Sequence, residues 1–319
     1  MKAIIHDRYG SPDVMRLGEV AMPNLPDDAV LVRVRATSIN AHDWHMLRGK
    51  PYIARLSEGL RRPKSNVLGI DVAGTVEEVG VNVMHVKPGD DVYGSRSGAF
   101  AEYISGRNMV PMPSGLTYEQ AAAVPTAGQT ALQGLRDHAA VRPGERVLVN
   151  GAGGGVGSFA VQIAGALGAE VTAVTRTDNV ELMRRLGAVE VIDYSREDFT
   201  RAGRRYDVIL DAGGSRSLSD MRRALTADGR LILVAPGSGQ WVGPLARMAA
   251  AAVASRFSRQ RVRAFLAKVN RDDLLALKEL LEAGKVRPVI DRTYPLVQVP
   301  EAIRYVESGG VRGKVVITV

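Results

Sequence analysis

Glycines at positions 151, 153, 154, 155 and 157 stand between a strand-like run, 146–150, and a helix-like run, 156–167, of this 319-residue chain. The spacing Ala152-x-Gly154-x-x-Gly157 puts Ala152 at a tight turn, Gly154 where backbone must approach a pyrophosphate, and Gly157 where helix and sheet must touch. Free N–H groups and the positive end of the helix would face phosphate oxygens, so Ala152, Gly153, Gly154, Gly155, Val156 and Gly157 form a candidate dinucleotide cradle. About 20 residues later, where an acid would hold a ribose 2′-hydroxyl, the second strand runs instead into Thr175-Arg176-Thr177. A guanidinium can pair with a 2′-phosphate through two N–H groups, and two hydroxyls can donate to it. The pattern therefore predicts NADPH rather than NADH. Asp178, the next acid, reads as a helix cap.

The elements that must position this cradle follow from hydrophobic rhythm. Up to about residue 124, short apolar alternations at 29–39, 72–79, 91–93 and 100–104 are broken by Gly, Pro, Asn and Asp, which predicts mostly β structure. From Pro125 onward, strand-like runs at 146–150, 170–175, 190–192, 207–211, 230–235 and 261–268 alternate with helix-like segments. That alternation predicts an α/β fold with a doubly wound, six-stranded parallel sheet. Asp211-Ala212-Gly213 and Ala235-Pro236 end its fourth and fifth strands, at the carboxyl ends where ligands of open sheets gather. Asp272 and Asp273 open an amphipathic helix carrying Leu274, Leu277, Leu280 and Leu281 and ended by Gly284; the tail returns to β alternation with a short helix entered at Pro300. The predicted domains are a β-rich one, 1–124 with 272–319, and a nucleotide-binding one, 125–271. The apolar stretch 242–257 is too short for a membrane span and reads as a buried or interface helix.

Composition excludes several chemistries. The chain has no cysteine, which removes disulfides, thiolate nucleophiles, iron–sulfur clusters and cysteine zinc sites. No leader pattern or long apolar run is present, so a cytoplasmic protein is expected. The net charge of +8 resides in one segment: 229–271 holds no Asp or Glu but eight cations, Arg230, Arg247, Arg256, Arg259, Arg261, Arg263, Lys268 and Arg271. A solvated face is the favoured reading of this segment over a surface for nucleic acid or an anionic membrane. The last strand-like run, 261–268, is a sheet edge and the expected seam of a homodimer.

Several stretches in a fixed order resemble the medium-chain dehydrogenase/reductase superfamily along essentially the whole chain. They are Asn40-Ala41-His42-Asp43-Trp44, Gly69-Ile70-Asp71-Val72-Ala73-Gly74, Gly98-Ala99-Phe100-Ala101-Glu102-Tyr103, Thr126-Ala127-Gly128-Gln129-Thr130, the glycine loop, Val191-Ile192-Asp193-Tyr194 and Gly313-Lys314-Val315-Val316. Together they are similar to its zinc-independent quinone oxidoreductase branch, the zeta-crystallin-like and chloroplast-envelope-type members. The resemblance implies a GroES-like β domain joined to a Rossmann domain. It also aligns the zinc ligands of metal-dependent relatives with Asn40, Ile70 and about Thr126, a set that cannot hold zinc, with His42, His45 and Asp71 the only nearby substitutes. No metal is expected.

The same resemblance places Asn40 beside the nicotinamide and Thr130 at its carboxamide, with capping as the alternative role of each. It places Tyr194 near the adenosine phosphate, where Arg312 or Lys314 adds charge. His45 stands where many relatives carry Tyr, so His42, His45, Tyr52 and solvent are the possible proton sources. Asp43 is expected to be an exposed carboxylate that orders its own loop. Without a Lewis acid, hydride delivery favours acceptors that spread the arriving charge, so the expected substrate is a small quinone or α,β-unsaturated carbonyl compound. The alternatives are an enoyl-thioester reductase, with CoA- or carrier-linked substrates, and a cofactor-gated protein binding nucleic acid or membrane through 229–271.

Overall fold

The computed structural model describes residues 1–50, 52, 55–214, 216–234 and 259–319. Ala235, Pro236, the helix expected over 242–257, and Arg247 and Arg256 of the basic segment lie outside the described residues. The chain divides into two compact units, Met1–Gln129 with Val269–Glu282 and Pro288–Val319, and Thr130–Lys268 with Ala283–Arg287.

In the first unit the alternating runs form a seven-stranded sheet. Its order is Ile290–Pro295, Lys314–Thr318, Val30–Ile39, Asp71–Val79, Asp91–Ser95 and Met109–Pro111, with Tyr103–Gly106 also pairing with Val30–Ile39. The C-terminal strand is antiparallel to Val30–Ile39, with Val315 opposite Ile39, and Ser38 lies opposite Asp71 on the next strand. Those two registers decide which polar groups meet at the strand ends. Ile4, Ile39, Leu47, Phe100, Val315 and Ile317 fill the core beneath them. The amphipathic helix Arg271–Glu282 buries Leu274, Leu277 and Leu281, and the Tyr93 hydroxyl donates to the Leu274 carbonyl at 2.5 Å. Its start is fixed by Asn270, whose Oδ1 accepts from the Asp273 N–H at 2.8 Å, so Asn270 rather than Asp272 opens the helix.

The second unit holds six parallel strands in the order Glu190–Asp193, Glu170–Thr175, Arg146–Asn150, Tyr206–Asp211, Leu225–Leu233 and Arg261–Ala264. Strand order reverses between Arg146–Asn150 and Tyr206–Asp211, the crevice where open sheets of this kind take ligands. The last strand stops at Ala264, shorter than the run 261–268, and among the described residues pairs only with Leu225–Leu233. Two cations of the basic segment have acidic neighbours. Arg230 pairs with Glu145 and donates to the Ala139 carbonyl at 2.7 Å, and Arg259 lies 3.2 Å from Asp228. Among the described residues no helix is long and apolar enough to cross a membrane.

Candidate active site

The chain leaves the strand Val30–Ile39 through Asn40, whose extended backbone starts the helix Ala41–Arg48. Asp43 lies in the first turn and accepts from the Asn40 N–H at 2.7 Å and from the Gly69 N–H at 3.1 Å. It does order its own segment, but the expectation of exposure fails: the helix turns its carboxyl into the core, where it is fully buried. Burial drives the carboxyl up to about 7 and Asp71 adds to the rise, while Lys314 and the two N–H donors oppose it. An acid whose folded value is raised loses its proton first in the unfolded chain, so its contribution to stability falls as pH climbs from about 4 to about 7. Thermal melts across that window should show this downward slope, at most about 1.4 kcal/mol per pH unit, and Asp43→Asn should remove it. An unchanged slope in the variant would reject the assignment.

Beside Asp43 lies a polar centre built by four elements. Asp71 Oδ2 accepts from Ser38 Oγ at 2.7 Å, Asn40 Nδ2 at 2.9 Å and Lys314 Nζ at 3.2 Å. Its Oδ1 accepts from the Thr126 N–H at 2.9 Å and from Thr126 Oγ1 at 2.5 Å. Lys314 Nζ also donates to Asn40 Oδ1 at 2.5 Å. The Lys314 and Asp71 side chains are 3% and 0% exposed, so this ion pair is shielded from solvent. Lys314 therefore does not supply charge to a cofactor phosphate, as expected of it; its ammonium is committed to Asn40 and Asp71. Arg312 lies exposed on the turn before it, where its N–H donates to Asp291 at 3.1 Å.

The two ends of the aligned zinc set, Asn40 and Thr126, do converge, but on a carboxylate that already carries an ammonium. A zinc ion needs three or four thiolate, imidazole or carboxylate ligands in near-tetrahedral array. Among the described residues no group of three or more His, Cys, Asp or Glu side chains provides one. The residues present do not fit zinc.

The proton-donor candidates have contacts of their own. His45 stacks on Trp44 with ring centroids 3.7 Å apart, its Nδ1 is buried with no hydrogen-bond partner among the described residues, and burial pushes the imidazole below its ordinary value. Half-buried Tyr52 carries the Arg55 guanidinium 4.9 Å from its ring, and His42 is exposed. Thr130 is buried inside the helix Pro125–Leu132, four residues after Thr126. It does not start that helix, so its capping role is withdrawn.

In the second unit the cradle takes shape between Arg146–Asn150 and the helix Gly155–Ala166. The tight turn falls on Gly151, at φ +78°, rather than on Ala152, whose N–H is tied to the Val174 carbonyl at 3.0 Å. A Cβ at Gly157 would lie 2.2 Å from the Gly151 carbonyl oxygen, and one at Gly153 would lie 2.3 Å from Asn179 Nδ2. At Gly154 the nearest atom would be 3.6 Å away, so the backbone there is open to a ligand. Asn179 Oδ1 is buried beside this loop with no hydrogen-bond partner among the described residues. An open backbone, a helix N-terminus and an unpartnered buried oxygen fit a dinucleotide.

Around the cradle, Asp211 shapes the loop rather than reaching outward. Its Oδ1 accepts from Asn150 Nδ2 at 2.8 Å, the Gly214 N–H at 2.9 Å and the Gly213 N–H at 3.2 Å, next to Ala212. Thr177 Oγ1 donates to Asp193 at 2.5 Å, so its hydroxyl is not available for a 2′-phosphate as expected. Thr175 is buried at the strand end, while the Arg176 guanidinium is about one-third exposed with Asp178 3.9 Å away. Asp178 sits within the short turn Thr177–Asn179, and Asn179 takes the capping position expected of it. Tyr194 is half-exposed, with its N–H on the Thr175 carbonyl at 3.0 Å. Sequence reasoning missed Asn150, Asn179 and Asp193; a polar residue closing an otherwise apolar strand was the available signal for the first and last.

The chain matches two family models, described as alcohol dehydrogenase GroES-like domain over residues 26–114 and zinc-binding dehydrogenase over 186–317. It is 35% identical to the mitochondrial NAD(P)H oxidoreductase RTN4IP1 of Bos taurus, over 100% of this chain and 89% of that one. It is 33% identical to the 2-methylene-furan-3-one reductase of Solanum lycopersicum, over 99% and 79%. The quinone oxidoreductase of Coxiella burnetii superposes with a TM-score of 0.88 at 30% identity, covering 100% and 99% of the two chains. With a GroES-like unit, a Rossmann-type parallel sheet and a polar centre unsuited to zinc, the chain belongs to the medium-chain dehydrogenase/reductase superfamily, in its zinc-independent quinone oxidoreductase branch.

Proposed function

We propose that this oxidoreductase uses NADPH to reduce a quinone or an α,β-unsaturated carbonyl compound without a metal. The observation that carries the reading is the Lys314 ammonium seated on Asn40 and Asp71, where a metal-dependent relative would gather ligands. When bound, the reduced nicotinamide supplies hydride. An isolated carbonyl receiving it would build a full alkoxide charge that calls for a Lewis acid. A quinone, or an enone attacked at its β-carbon, spreads that charge, so hydrogen-bond donors are sufficient. Burial holds the His45 imidazole in its neutral form near pH 7, a poor acid, so solvent is the proposed source of the final proton. Enoyl-thioester and nucleic-acid readings draw on the basic segment, where Arg230 is already held by Glu145 in a largely buried ion pair.

Arg176 is the proposed 2′-phosphate contact. Steady-state oxidation of each cofactor with one enone tests the reading. Wild type should prefer NADPH, and Arg176→Ala should raise KM for NADPH by about 10-fold or more while leaving NADH within about 2-fold. Equal use of both cofactors by wild type would count against NADPH.

A further inference from the structure

Lys314 is a full charge in a site with almost no exposure, and it does not stand at a surface with its stem alone buried. The register that pairs Val315 with Ile39 brings it beside Asn40, and the pairing of Ser38 with Asp71 brings the carboxylate to the same point. The Asn40 amide consequently has one acceptable orientation. Its oxygen meets the ammonium and its NH2 meets the carboxylate; a flip would set donor against donor and acceptor against acceptor. Thr126 is held to the other oxygen of Asp71 through both its N–H and its hydroxyl.

We propose that Lys314 is a built-in cation that organises this centre in place of a metal, fixing Asn40, Asp71 and Thr126 so that the rate of reduction depends on its charge. Lys314 is thus a positioning residue; it acts through Asn40 and Asp71 rather than on the reacting atoms. The proposal rests on the reductase reading above for its kinetic consequence, and its structural consequence is independent of that reading.

Two variants test it. Lys314→Met keeps the length of the side chain and removes the charge. It should lower kcat with an enone by about 10-fold or more and leave KM for NADPH within about 2-fold. Among the described residues Asp43 is then left with the Asp71 carboxylate as its charged neighbour. The residual activity should therefore fall as pH rises, because a proton held by Asp43 offsets part of the missing charge.

Lys314→Ala leaves room for an added propylammonium ion. That ion should restore activity by about 3-fold or more and raise the melting temperature, whereas 1-butanol, of similar length and uncharged, should do neither. Kinetics of Lys314→Met within about 2-fold of wild type at every pH, or equal rescue by butanol, would overturn the proposal. If Lys314→Met does not fold, the propylammonium comparison on Lys314→Ala decides. If wild type reduces no acceptor at all, the reductase reading falls, and Lys314 is judged on the melting temperatures alone: a rise with propylammonium and none with butanol supports it, and no difference refutes it.

Discussion

Gly157→Ala is expected to abolish measurable binding of the nicotinamide cofactor. The added methyl would lie 2.2 Å from the Gly151 carbonyl oxygen and 2.6 Å from the Ala152 Cα, both backbone atoms with no rotamer to yield. Relief requires the helix Gly155–Ala166 to move off the strand–turn, which carries its N–H groups away from the phosphates they are to meet. Overpacking of this kind costs about 1–3 kcal/mol in a core, and the lost phosphate contacts add to that. Since about 1.4 kcal/mol is tenfold in affinity, Kd should rise by about 100-fold or more in a calorimetric titration. Gly165→Ala on the same helix is the control. Its Cβ would meet nothing within 4 Å, so binding should be unchanged and the melting temperature equal or slightly higher. Retained affinity in Gly157→Ala would mean that the loop is not the phosphate site.

The largest loss of stability is expected from Asp71→Ala. That carboxylate accepts five hydrogen bonds, from Ser38, Asn40, Lys314 and twice from Thr126. Its removal leaves the Lys314 ammonium buried with Asn40 Oδ1 as its one acceptor among the described residues. Breaking a buried ion pair from one side costs about 3–5 kcal/mol, because the remaining charge has neither a counter-ion nor water. At about 2–4 °C per kcal/mol the melting temperature should fall by about 10 °C, and Asp71→Asn, which keeps an acceptor oxygen, should lose less. A fall of about 1 kcal/mol or less would show the centre to be better solvated than its exposure implies.

Much of this molecule is legible in the sequence because its punctuation is local. Gly168 and Gly187 close helices at positive φ, as their positions after apolar periodic runs predict. Four of the six parallel strands closely match the apolar runs that signal them, the fifth begins earlier, at Leu225, and the sixth is cut short at Ala264. The site is less legible, for reasons that differ by residue. The motif spacing marks the glycine loop but not which residue takes the positive φ, and the structure gives that to Gly151. The sequence suggests a loop around Asp43; the helix Ala41–Arg48 rotates it inward onto the Gly69 N–H, and burial follows from that rotation. Lys314 and Asn40 are 274 residues apart, so no local pattern announces that an ammonium near the C-terminus completes a centre begun at residue 40. The spacing gives Thr177 to the cofactor, yet its nearest acceptor, Asp193, comes from a neighbouring strand that only the sheet order brings alongside.

The claim on which the account turns is hydride delivery to a conjugated acceptor with no metal taking part. The most direct measurement is NADPH oxidation by enzyme dialysed against a chelator, with an alkyl vinyl ketone, an ortho-quinone and a saturated ketone compared side by side. Turnover of the ketone with the conjugated double bond, the quinone or both should be undiminished, with little of the saturated one reduced. Activity that disappears on chelation and returns with zinc, or saturated-ketone reduction as fast as the others, would contradict it.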